Sequence, residues 1–323
     1  MKKNYLLLLL LTIVMASQAQ YTWLAKDSFP GAPRGVAATF SVGNTGYMVG
    51  GFTQYPGVWV NEVWAYGPTN DTWVQKNNFP NATAGSAVFS IGDSSYVVGG
   101  YVGGGLNNNL NYLYNPSNDS WGAKASFPEN GVSGAFSFVI NGTAYVGTGE
   151  RPGANNSTSV YSYTPSTDSW SSVASYPESL VNTVGFAIGG LGYAGLGSNG
   201  SLSQTSDFYS YSPVTNTWTP IASFPGEPRN SAMAFVINGK AYVGGGWTGI
   251  PGNPSVIYDL GNFYCYDPAS NTWSQLPGLP GRAREHANTF VLNDNAYVVG
   301  GLVTRLLLVL FRLVCKLTSI QTS

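Results

Sequence analysis

"GKAYVGGGW", residues 239–247, admits two readings. Three consecutive glycines behind an apolar, strand-like run are either a loop that cradles phosphate or a backbone device that needs no ligand. A phosphate loop occurs once and leads into a helix through a Lys-Ser or Lys-Thr pair. This phrase does neither. Aligned on its tyrosine, it returns as GYMVGG (46–51), SYVVGG (95–100), AYVGTG (144–149), GYAGLG (192–197), AYVGGG (241–246) and AYVVGG (296–301). Five copies are followed by a second phrase: WAYGPTNDTW (64–73), YLYNPSNDSW (112–121), YSYTPSTDSW (161–170), YSYSPVTNTW (209–218) and YCYDPASNTW (264–273). The closing tryptophans, Trp73, Trp121, Trp170, Trp218 and Trp273, stand 48, 49, 48 and 55 residues apart. A period of this length marks repeated supersecondary units.

Each unit carries four short strand signals. An apolar run surrounds Phe40, Phe89, Phe138, Phe186, Phe235 and Phe290 in turn. A tight turn such as Asn141-Gly142 or Asn238-Gly239, suited to a hairpin, leads into the Tyr-Val-Gly-Gly strand. A longer connection, the Tyr-x-Tyr strand, a Pro-x-x-Asn/Asp turn and the Trp strand follow. Four antiparallel strands with no helical pattern describe a blade of a β-propeller.

The double glycine behind an aromatic-aliphatic strand, the Tyr-x-Pro turn and the Trp at fixed distance resemble kelch repeats, over about residues 21–301. The resemblance implies that the glycines let the second strand pack beside its neighbours where a Cβ would clash. Six glycine strands predict an all-β, six-bladed kelch propeller. Five units are complete, while the sixth supplies only the strands around Phe290 and Tyr297. YTWLA (21–25) matches DTWVQ and NTWTP. Trp23 is therefore expected to complete the last blade, as termini often do in kelch propellers, covering edges otherwise open. The third strand of that blade is missing or replaced.

The ends read differently from the repeats. Lys2 and Lys3, the apolar run Leu6–Met15 and the small-x-small Ser17-Gln18-Ala19 lay out a secretory signal over 1–19. The propeller then occupies 20–301, and the protein is expected to be exported: extracellular, on the cell surface or periplasmic. The tail, LVTRLLLVLFRLVCKLTSIQTS (302–323), has no Gly, Pro, Trp or Tyr and lacks the expected second phrase. It reads as a frameshift or a truncated frame, or as an irregular substitute strand. Its apolar run Leu306–Phe311 is too short to span a bilayer.

Charged residues make up 9% of the 323, and the net charge is −1. Nucleic acid is thus not an expected partner. Two cysteines cannot supply a disulfide scaffold.

The turns between the first two strands, and between the last two, are nearly uniform. Those between the second and third vary: FTQYPGVWVN (52–61), YVGGGLNNNL (101–110), ERPGANNSTS (150–159), SNGSLSQTS (198–206) and WTGIPGNPSVIYDLG (247–261). Binding residues concentrate on loops carried by a rigid scaffold, so this face is the candidate site. Six residues before the core Phe stand Arg34, Thr83, Val132, Leu180, Arg229 and Arg284. In kelch domains that bind acidic peptides, arginines at this motif position line the channel mouth. The resemblance therefore makes Arg34, Arg229 and Arg284 candidates for an anion-binding arc. Alternatively, they bond neighbouring loop carbonyls and stiffen the ring. Phe52, Tyr101, Glu150 and Trp247 directly follow the glycines, and Trp59 and Tyr258 add loop aromatics, a set suited to sugar rings or peptide side chains. Equally, these aromatics can pack on their own rim. Glu129, Glu150 and Glu178 would set an acidic side against the basic one.

Secreted kelch-type propellers include the copper oxidases of the galactose oxidase type, whose site needs two histidines and a Tyr crosslinked to Cys. This chain has one histidine, His286, and Cys265 takes a strand position held elsewhere by Ala65, Leu113, Ser162 and Ser210. No metal or cofactor is expected. Glu285 and His286, beside Arg284, are the candidates for acid–base work. The resulting expectation is a monomeric, non-catalytic module that recognises a protein or glycan. The alternative is a carbohydrate-active enzyme resembling sialic-acid mutarotase (N-acetylneuraminate epimerase).

Overall fold

The computed structural model describes residues 20–53, 57–102, 106–153, 155–199, 203–250, 253–303 and 313–318. Every regular element among them is a strand or a bridge; no helix is present there. The repeat ending at Trp273 shows how one unit folds. Its apolar run forms Met233–Ile237, and the tyrosine-glycine phrase forms Lys240–Gly244. Phe263–Asp267 and the tryptophan strand Thr272–Leu276 follow outward. All three pairings are antiparallel. Asn238 and Gly239 both take positive φ, 51° and 69°, as a two-residue hairpin with the twist of its strands requires.

The register sets the core. Phe235 lies opposite Tyr242, and their rings stack at 5.2 Å with an interplanar angle of 7°. The pair recurs as Phe40–Tyr47, Phe89–Tyr96, Phe138–Tyr145, Phe186–Tyr193 and Phe290–Tyr297, all stacked within 25° of parallel. Each apolar cluster spans two neighbouring sheets: Phe40 and Tyr47 pack with Tyr114 of the next one, and Phe290 and Tyr297 pack with Tyr66 of the first. The core is therefore a series of wedges between sheets.

Five blades are complete within a single sequence unit, not the six that the glycine phrases predict. The sixth phrase forms only a hairpin, Asn288–Leu292 with Asn295–Val299. That hairpin completes a four-stranded sheet with segments from outside the repeats, Leu313–Thr318 and the N-terminal Gln20–Ala25. The physical reason is the sequence after Gly301, which lacks the Tyr-x-Tyr-x-Pro phrase; the antiparallel pairings of Leu313–Thr318 fill its place in the sheet. The innermost strand of this composite sheet lies between those of the fifth and first blades. The proposed signal, residues 1–19, lies outside the described residues, as do 304–312 and 319–323 of the tail. Among the described residues, no helix is long and apolar enough to cross a membrane.

The glycine phrase is explained by its second glycine. At Gly246, with φ of 87°, an added Cβ would stand 2.5 Å from the Asn230 carbonyl oxygen, and at Gly197 it would stand 2.6 Å from that of Val181. The preceding position is as crowded at Gly50, Gly99 and Gly300, where an added Cβ would stand 2.5, 2.3 and 2.4 Å from a carbonyl oxygen, but its φ is one that Thr148 and Leu196 adopt, at 58° and 59°. The second glycine, at φ between 85° and 106° in all six copies, lies beyond the left-handed region open to other residues.

Candidate functional site

Backbone hydrogen bonds build the mouth of the channel on the variable-loop face. Val36, Gly85, Gly134, Asn182, Ser231 and His286 all have positive φ, between 50° and 68°. The Val36 N–H donates to His286 O at 3.0 Å, Gly85 to Val36, Gly134 to Gly85, Asn182 to Gly134, and His286 to Ser231. This inner ring holds even a β-branched residue, Val36, where such a side chain is rarely found. One step outward, the residues after the glycines pair with the residues before the inner ring. Gly35 pairs with Phe52, Ala84 with Tyr101, Ser133 with Glu150, Val181 with Ser198, Asn230 with Trp247 and Glu285 with Leu302. Positions aligned only by counting from the glycines therefore share one backbone geometry.

A cavity of about 310 Å³ opens across the first four blades. Phe52 and Trp59 of the first blade, Tyr101 of the second and Glu150 of the third line it, over a floor that includes Val36, Gly134 and Asn182. The aromatics form a row, with Phe52 and Trp59 centroids 5.1 Å apart and Trp59 and Tyr101 5.3 Å apart. All three are half-buried. Three of the residues expected to bind ligand, Phe52, Tyr101 and Glu150, thus meet in one place. Trp247 is held apart in the fifth blade, bonded through its backbone to Asn230 on a hairpin of its own.

The arginines point inward. Arg34 and Arg229 are 1% and 0% exposed, and Arg284 is 5% exposed. Each donates Nε to the carbonyl two residues earlier (Ala32, Glu227 and Arg282) and Nη1 to the carbonyl of the first glycine (Gly50, Gly245 and Gly300). Arg34 also pairs with Glu62 at 2.6 Å, and Arg229 with Glu227 at 3.2 Å. Burial raises the Glu62 carboxyl, but hydrogen bonds from Trp64 and Arg34 hold it below its ordinary value. In the third blade, where Val132 replaces arginine, Arg151 reaches the equivalent Thr148 carbonyl from the loop side and pairs with Glu129. Sequence reasoning named the arginine positions and Glu129 but missed Arg151, Glu62 and Glu227, which come from different segments in different blades.

The three loop carboxylates have different surroundings. Glu129 is tied to Arg151, and Glu178 is pushed above its usual value by burial and nearby Asp207. Glu150 has no lysine or arginine partner among the described residues; its Oε1 accepts from Asn107 Nδ2 at 3.4 Å.

His286 sits at the mouth in a polar chain. Asn230 Nδ2 donates to Ser198 Oγ at 2.8 Å, leaving Asn230 Oδ1 to accept from the Ser231 hydroxyl at 2.6 Å. The same hydroxyl lies 2.7 Å from His286 Nε2; with its proton on Asn230 Oδ1, it can accept a hydrogen bond from the ring there. His286 Nδ1 lies 3.4 Å from Glu285 Oε2 without a hydrogen bond, a contact that becomes an ion pair when the ring is protonated. Cys265 is a buried free thiol, in keeping with a packing role. Among the described residues, no group of three or more His, Cys, Asp or Glu could hold a metal ion.

Comparison with known families bears directly on this architecture. Residues 85–301 match the family model of the KLHDC2/KLHL20/DRC7 Kelch-repeats domain. The chain belongs to this kelch-repeat family. No curated protein matches the chain. Among solved structures, the kelch propeller is similar to one titled "Structure of YjhT", with a TM-score of 0.74 and 16% identity, covering 90% of this chain and 95% of that one. At that identity the likeness concerns the fold.

Proposed function

We propose that this protein is an exported, monomeric kelch propeller that binds a protein or glycan on its variable-loop face without transforming it. The observation that carries the reading is the cavity where Phe52, Trp59, Tyr101 and Glu150 meet on the face of variable loops. Kelch propellers commonly bind proteins, and the loops here present aromatic surface on a rigid ring. The composite sheet is read as a sixth blade that closes this ring. Trp23 supports that reading, because its indole donates to Pro277 O of the fifth blade as Trp273 donates to Ala222 O of the fourth. The inward arginines direct the search away from an anion held by an arginine arc.

Peptide and glycan arrays probed with the whole chain and with Trp59→Ala test the reading. Ligands that are lost in Trp59→Ala and kept in Arg229→Ala support it. Arrays giving no ligand dependent on Trp59 overturn it. A second reading, an enzyme resembling sialic-acid mutarotase, draws on His286 and Glu285 at the mouth. Acceleration of anomer exchange that disappears in His286→Ala would favour the enzyme.

A further inference from the structure

The chemistry of the cavity narrows the class of its occupant, an inference that rests on the binding reading above. Its charge is one-sided. Among the described residues of the lining, Glu150 is the only Asp, Glu, Lys or Arg, and no described lysine or arginine pairs with it. Its neighbour Arg151 is turned onto Glu129 and the Thr148 carbonyl and packs over the Phe127 ring. Arg34, on the same side of the mouth, is buried against Glu62. An anion entering here would meet a carboxylate and the negative faces of aromatic rings.

The aromatic lining is not one level surface: Phe52 and Trp59 are inclined at 57° and Trp59 and Tyr101 at 39°. A compact cation can touch several such faces at once, each contact favourable within about 6 Å of a ring centroid.

We propose that this cavity captures an organic ammonium group, through cation–π contact with Phe52, Trp59 and Tyr101 and charge pairing with Glu150. Two sources share the chemistry: the trimethylammonium head of a choline-type molecule and the side-chain ammonium of a lysine on a partner. Either would bring the positive charge that Glu150 lacks and cover apolar surface with its alkyl part.

Calorimetric titration of the full chain with choline chloride, and with its uncharged isostere 3,3-dimethylbutan-1-ol, separates charge from shape. Choline is expected to bind about tenfold tighter than the alcohol. Glu150→Gln should remove part of that factor for choline, about threefold, leaving the cation–π share, and should leave the alcohol unchanged. Trp59→Leu should weaken both, with a thermal melt confirming that the ring is intact. Glu150→Gln keeps the test open if Trp59→Leu fails to fold, because the carboxylate is only half-buried. A pair of peptides carrying lysine or norleucine assigns the source, and a lysine preference lost in Glu150→Gln supports a partner side chain. Equal affinity for choline and the alcohol, or indifference to Glu150→Gln, overturns the ammonium inference while leaving a Trp59-dependent binding face standing. Failure of every probe and of the arrays to bind the folded chain overturns both.

Discussion

Arg229 shows what a fully buried charge does in this ring. Its guanidinium bonds the Glu227 and Gly245 carbonyls and Asn262 Oδ1, and lies 4.6 Å from the centroid of Phe224. Burial pulls its pKa down to about 10, still far enough above neutrality that the group remains charged. Arg229→Met keeps an apolar stem on Phe224 but leaves the Gly245 carbonyl and the Asn262 side chain without their donor. Each such loss costs about 1–3 kcal/mol. The carboxylate of Glu227 is nearly half exposed, so its pairing adds little. Urea denaturation of Arg229→Met should therefore show a loss of about 3 kcal/mol, with the choline affinity of the folded protein unchanged. Unchanged stability together with lost ligand binding would instead make this arginine a ligand contact.

At the scale of the element, the Pro-x-x-Asn/Asp turn does more than reverse the chain. In every complete blade, its Asx residue accepts the hydroxyl of the strand tyrosine, as Tyr66 to Asp71, Tyr114 to Asp119, Tyr163 to Asp168, Tyr211 to Asn216 and Tyr266 to Asn271. The same side chain accepts a backbone N–H from the preceding sheet: Asp119 from Asn77, Asp168 from Ala125, Asn216 from Ala174 and Asn271 from Ala222. Each turn is thus a clasp between sheets. Asn216 has φ of 51°, so two substitutions separate its two roles. Asn216→Gly keeps the backbone and loses the clasp, at an expected cost of about 1–2 kcal/mol. Asn216→Ala loses the clasp and also strains the turn, adding about 1 kcal/mol. Chemical denaturation of both variants checks the order; equal losses would mean that the left-handed backbone contributes nothing. The turn was legible in sequence because Pro, Asn and Asp have local preferences. The clasp was not, because its donor stands 42–49 residues away in a segment with no distinctive side chain. The same holds for the cavity. Phe52, Tyr101 and Glu150 could be aligned by counting from the glycines, but their convergence depends on the direction in which neighbouring blades turn their loops. The inward aim of Arg34, Arg229 and Arg284 was one of two open readings, since an arginine's reach is not written in its spacing.

For the molecule as a whole, the question is whether the first and last segments lock the ring. The N-terminal strand occupies the outer position of the composite sheet, and two of its contacts repeat those of the complete blades. Trp23 Nε1 donates to Pro277 O at 3.4 Å and the indole meets Phe263 edge-on at 5.6 Å. Just beyond the strand, the Asp27 N–H donates to Asp71 at 3.3 Å, the clasp that Asn77 makes with Asp119 one blade later. A strand lying loosely on the surface would not reproduce both contacts. Trp23→Ala should consequently destabilise the propeller by about 2–3 kcal/mol, somewhat below the range for a fully buried tryptophan because this one is half-buried. Trp218→Ala, in the middle of the chain, provides the calibration, since Trp218 makes the corresponding bond to Ala174 O at 3.1 Å. Similar losses for the two variants would show that the terminal strand carries as much of the ring as an internal one. Asp71→Ala, which opens the other side of the same junction, should add to Trp23→Ala by less than the sum of the separate effects, because both release one strand. Full additivity, or a Trp23→Ala loss below about 0.5 kcal/mol, would show that the ring holds without its N-terminal segment and that the composite sheet is not a lock.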